Sequence, residues 1–147
     1  MTLRAMWILA IAACSSTPPP VPPVSRPAVA TDAATADPAL DQDLPRLVAR
    51  SLMMYQDIAA GFAASGSDCA AATAKLGELT GAYRDVVQAN AKVVHDGRIE
   101  QLRVAMAPHA SAFDSAAQAV MQSPTMASCV RDAGFARAFD ALFEPPP

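Results

Sequence analysis

Residues 44–65 read LPRLVARSLMMYQDIAAGFAAS, and the placing of apolar side chains in this stretch decides the fold. Leu44, Val48, Leu52, Tyr55, Ile58 and Phe62 recur by threes and fours. That interval gathers them on one face of a helix with 3.6 residues per turn. Asp41 and Asp43 come just before, where carboxylates suit the positive end of the helix dipole. Ser65-Gly66-Ser67 breaks the pattern.

The same periodicity continues outward. Ser67 or Asp68 caps a second expected helix over 68–94, with a seam of Cys69, Ala72, Leu76, Leu79, Tyr83, Val86 and Val93. His95-Asp96-Gly97 forms the next turn. A third helix over 98–122 carries Ile99, Leu102, Met106, His109, Phe113, Ala116 and Val120. Ser123-Pro124 is a helix start, a capping hydroxyl followed by proline at the first helical position. The last helix, 124–143, presents Met126, Val130, Ala133, Phe139 and Leu142 until Pro145. Helices of this length joined by short turns predict an all-α domain over 39–147, an antiparallel up-down four-helix bundle.

Towards the N-terminus the composition changes. Residues 15–38 contain Pro18, Pro19, Pro20, Pro22, Pro23 and Pro27, then small and acidic residues with nothing large to bury. This reads as a disordered Pro-rich linker, able to reach about 75 Å at full polyproline extension. A Pro-rich recognition ligand is the other reading of the stretch. The chain carries net charge −3. That acidic balance argues against a nucleic-acid partner, which requires a basic patch.

Residues 1–13 have Arg4, an apolar segment from Ala5 to Ala12 and small residues ahead of Cys14, closing on Ile11-Ala12-Ala13-Cys14. The apolar run is too short to span a bilayer, which takes about 20 residues. This segment resembles the signal peptide of bacterial lipoproteins. The resemblance implies cleavage behind Ala13, a lipid on Cys14, attachment to the membrane through that lipid and, with Ser15 next, an outer-membrane, periplasm-facing address. Removal of the signal takes Arg4 and the single Trp7, leaving a net charge of −4. An ordinary signal cleaved at Ala10-x-Ala12 is the competing reading. Thirteen residues are also fewer than the about 15–30 of most signals, which keeps an upstream start codon open.

In an up-down bundle the second and fourth helices start at the same end, which brings Cys69 towards Cys129. An oxidising periplasm permits their disulfide, whose loop closure contributes roughly 4 kcal/mol. Buried free thiols are the alternative. Thr73, Gly77 and Gly81 make a stripe of small side chains four residues apart. Because glycine inside a helix costs about 1 kcal/mol, the stripe predicts close helix packing, or else a groove for a partner.

Chemistry has one expected location. Counting helical rise places Met54, Tyr55, Tyr83, Met106 and His109 in one layer, beside Pro108, which leaves the Val104 carbonyl without its usual donor. Such a layer suits a small ligand, haem or a soft metal. The last helix has no histidine, however, and Met106-x-x-His109 alone is a weak metal motif. His109 simply packed against the seam is the competing reading. Carboxylates are scattered and no nucleophile has an identifiable base, so no enzyme and no cofactor are expected. The sequence therefore predicts an outer-membrane lipoprotein presenting a non-catalytic interaction or structural module to an envelope protein partner. A ligand-binding bundle using the Met106/His109 layer is the alternative.

Overall fold

The computed structural model of the chain describes residues 38–145, and among them every regular element is helical. The expected signal, the lipid attachment at Cys14 and the linker up to residue 37 lie outside the described residues. A 3-10 turn at Leu40–Gln42 leads into α1 (Leu44–Ser65). There follow α2 (Cys69–Ala82), α3 (Arg84–His95), α4 (Ile99–Met106), a second 3-10 turn (Ala107–His109), α5 (Ala110–Met121), α6 (Pro124–Cys129) and α7 (Ala133–Phe143).

Local chemistry sets the helix starts. Asp43 accepts from the Arg46 N–H at 3.1 Å, with Pro45 in the first turn. Asp68 accepts from Ala70 and Ala71, each at 3.0 Å, and Ser123 accepts from Met126 at 3.1 Å behind Pro124. Asp132 accepts from Phe135 at 2.8 Å. Each such cap is worth about 1 kcal/mol. Gly66 and Gly97 end their helices at φ 57° and 70°, a left-handed conformation that costs glycine little.

Three of the four expected helices are interrupted, each for a definable reason. The 68–94 helix breaks at Tyr83, where the Val86 N–H turns to the Tyr83 carbonyl at 3.0 Å. The Ala82 carbonyl then accepts from Arg50 Nη2 of α1 at 3.2 Å. The 98–122 helix tightens into the 3-10 turn at Pro108. There the Ala107 N–H reaches both the Arg103 and Val104 carbonyls, so Val104 keeps a donor, contrary to the expectation from the proline alone. The 124–143 segment opens after Cys129, and Asp132 caps a new start.

The core is centred on α1, which packs against α2 on one side and α5 on the other, while α7 lies along α2. Phe62 of α1 meets Phe135 and Phe139 of α7 with ring centroids 5.4 and 6.2 Å apart. Phe135, absent from the expected seam, is fully buried. So is Thr125, whose hydroxyl lies 2.8 Å from the Phe62 carbonyl and 2.6 Å from that of Gly66. The hydroxyl thus serves two carbonyls at the end of α1, that of Phe62, which also accepts the Gly66 N–H at 3.0 Å, and that of Gly66.

Cys69 and Cys129 form a disulfide with Cα atoms 5.4 Å apart, joining the start of α2 to the end of α6. Of the two readings for this pair, the crosslink is the one realised. The small-residue stripe is different. A Cβ added to Gly77 or Gly81 would meet nothing within 4 Å, and both glycines are exposed, so no helix packs closely there. Close approach occurs at Gly61 instead, where a Cβ would fall 2.8 Å from Lys75 Cγ of α2.

Candidate functional site

The lengths of α1 and α7 create an opening. At about 1.5 Å per residue, the 22 residues of α1 span roughly 33 Å and the 11 residues of α7 about half that. Phe135 meets Phe62 near the end of α1, whereas Phe143, the last residue of α7, meets Tyr55 with centroids 6.2 Å apart. Pro145 lies just beyond. The earlier part of α1, from Val48 to Tyr55, is therefore bordered by α3 and α4 without a continuing α7.

A cleft of about 600 Å³ occupies that position. Val48, Met54 and Tyr55 of α1 line it, with Val87, Ala91 and Val94 of α3, Leu102 and Met106 of α4, Phe113 of α5, and Phe143 and Pro145. Tyr55 also packs edge-on against Phe113 at 5.8 Å. A neighbouring groove of about 510 Å³ shares Val94, Leu102, Met106 and Phe113, and extends the apolar surface to Ile99 and Ala110. Val94 and Ile99 are more than half exposed, and α4 has no buried residue. The apolar seam of α4 is thus present but only partly covered.

Three polar residues interrupt the lining: Ser51, Asn90 and His95. Ser51 is buried on the inner face of α1 and accepts from Asn90 Nδ2 of α3 at 3.4 Å, a long hydrogen bond. Neither side chain makes another hydrogen bond within the described residues. His95 stands at the end of α3, on the rim.

The expected ligand layer assembles only in part. Met54, Tyr55 and Met106 share the cleft, but His109 is exposed and outside its lining. The 3-10 turn at Ala107–His109 explains this, because it advances about 120° per residue where an α-helix advances about 100°, which shifts the phase of the seam. Tyr83 lies elsewhere, at the α2–α3 break. Its hydroxyl donates to Asp57 Oδ2 at 2.5 Å, and the Arg50 guanidinium sits 5.3 Å from its ring centre. Burial, reinforced by the hydrogen bond to the Asp57 carboxylate, pushes the Tyr83 phenol up to about 12. Arg50 also forks onto Asp85 at 3.0 and 3.1 Å, so this cluster ties α1 to the break.

Ser51, Asn90, His95 and Phe143 were not among the expected site residues. Ser51 carries a readable signal, a hydroxyl three residues before Met54 and seven before Ile58 on a face that is otherwise apolar. Among the described residues no group of three or more His, Cys, Asp or Glu side chains is placed to hold a metal ion, and no helix is long and apolar enough to cross a membrane. No protein-family model, curated protein or solved structure matches the chain.

Proposed function

We propose that this chain is a bacterial envelope lipoprotein whose helical domain is a non-catalytic binding module. Cys14 carries the lipid, residues 15–38 hold the domain away from an outer membrane, and residues 39–147 form an antiparallel up-down four-helix bundle facing the periplasm. The observation that carries the binding reading is the apolar cleft beside α4, a helix whose hydrophobic seam the rest of the domain leaves partly uncovered. Contiguous exposed apolar surface of this kind marks interaction sites in soluble domains. The Cys69–Cys129 disulfide fits an oxidising compartment, and the Ile11-Ala12-Ala13-Cys14 run fits lipidation.

Two measurements test this reading separately. Intact-mass analysis of the membrane fraction is expected to show loss of residues 1–13 and addition of lipid to Cys14, and an unmodified cysteine overturns the tether. Photo-crosslinking residues introduced at Val94 and Phe143 are expected to yield defined adducts in the cell envelope, whereas one at exposed Arg137 is not. Equal labelling from all three positions removes the cleft from the function.

A further inference from the structure

We propose that the cleft takes a single-chain amphiphile of the fatty-acid class, with its carboxylate at the Asn90–His95 end and its chain running towards Phe113 and Phe143. The inference rests on the binding-module reading and names its ligand. The volume, about 600 Å³, lies in the ordinary range for small-molecule sites, about 300–1,000 Å³. Apart from the three polar residues and the Tyr55 hydroxyl, the side chains of the walls offer hydrocarbon, thioether and ring surface. An extended peptide would bring a backbone donor and acceptor with every residue, more than the few polar side chains of this lining can satisfy. A helix is about 10–12 Å across with its side chains, as wide as the Val48–Tyr55 segment is long at about 10 Å. A hydrocarbon chain meets neither obstacle, and Met54 and Met106 can adjust to it through their unbranched side chains.

Polar groups give the chain a direction. Asn90 and Ser51 have hydrogen-bonding capacity left after their single 3.4 Å contact. His95 shares this rim, and Arg103 lines the adjoining groove while also facing Glu100 at 3.5 Å. The acidic wall residue, Asp114, follows Phe113 at the other end. Hydrogen-bonding side chains thus stand along α3 from Asn90 to His95, whereas Phe113 and Phe143 make the far wall apolar, an asymmetry that orients a polar headgroup.

The test uses the full chain with Cys14→Ser, stripped of lipid and titrated with oleate by native mass spectrometry and calorimetry. One oleate per chain is expected. Met106→Glu, which puts a charge in the apolar wall, should abolish binding. Asn90→Leu should weaken oleate by about ten-fold, the scale of one hydrogen bond to a charged group, and leave the methyl ester less affected. Circular dichroism and an intact disulfide establish that each variant is folded, and Gly81→Ala, away from the cleft, should bind normally. Absence of oleate binding up to its monomer solubility overturns the proposal, as does binding indifferent to both cleft variants. An amphipathic helical peptide that binds where oleate does not overturns the fatty-acid assignment and leaves the binding-module reading standing, whereas failure of the crosslinking test removes that reading itself.

Discussion

Replacing Gly77 with alanine is expected to stabilise the domain by about 1 kcal/mol, while the same change at Gly61 should not. Both glycines sit inside helices, where alanine is preferred by about 1 kcal/mol. At Gly77 the new methyl enters open space, so the propensity gain is kept in full. At Gly61 it would sit 2.8 Å from Lys75 Cγ and 3.7 Å from Cδ. The near atom lies early in the lysine side chain, and moving it disturbs the Lys75–Glu78 ion pair as well as the contact between α1 and α2. That pair is exposed and worth at most about 1 kcal/mol, but overpacking commonly costs about 1–3 kcal/mol. The net change at Gly61 is thus a loss of up to about 2 kcal/mol. Urea and thermal melts of oxidised protein, followed by circular dichroism, read the contrast directly. For a domain of this size 1 kcal/mol moves Tm by about 4 °C. Destabilisation by Gly77→Ala would mean that something packs on the exposed stripe, and equal gains at both sites would mean that α1 and α2 do not approach closely at Gly61.

Thr125→Val keeps the side-chain shape but takes the donor from the Gly66 carbonyl, while the Phe62 carbonyl keeps the Gly66 N–H, so a loss of about 1–2 kcal/mol is expected in chemical denaturation. The Tyr83 phenol is raised from 10.0 to about 12 in the folded chain, which favours its neutral form. Its contribution, on the order of 2–3 kcal/mol, should be complete below pH 10 and disappear as pH rises through 12. In a Tyr55→Phe background, tyrosinate absorbance read against pH checks this, and Tyr83→Phe should remove that part of the alkaline loss. Reduction of Cys69–Cys129 opens a 60-residue separation and should cost about 4 kcal/mol, visible as a lower urea midpoint with reductant.

Much of the helical content was legible because its signals are local. Asp68 and Ser123-Pro124 cap the helices they were expected to cap, and Ala72, Leu76, Leu79, Val86 and Val93 are buried along the expected seam of 68–94. The interruption at Tyr83 has no such local mark. It involves Arg50, 33 positions earlier, supplying the donor that the Ala82 carbonyl gives up. Phe135 was missed because the expected seam of 124–143 assumes one unbroken helix, and the restart at Asp132 resets the phase. Thr125 follows the Ser123-Pro124 start, but its acceptors lie on another helix and leave no trace in its own neighbourhood. The small-residue stripe illustrates the opposite error. Spacing identified three small residues on one face, but only tertiary packing reveals that the face looks outward.

The cleft was harder to foresee, because it arises from a mismatch between helices and not from a motif. Pro145 marks the stop of the last helix and the periodicity of 44–65 gives α1 its 22 residues, so both lengths are available separately. What they imply together depends on register. Phe135 must meet Phe62 for α7 to end beside Tyr55, and α4 must border the Val48–Tyr55 segment for its seam to be left open. Periodicity treats every apolar position on a seam as destined for the core. It therefore predicts burial for Ile99 and His109, and it has no way to mark Ile99 as more than half exposed or Leu102 and Met106 as only half-buried. Ser51 and Asn90 are the exception that sequence can reach, since a polar pair on inner faces is costly unless something hydrogen-bonds to it. Their single 3.4 Å contact leaves both side chains with hydrogen-bonding capacity at the wall of the cleft.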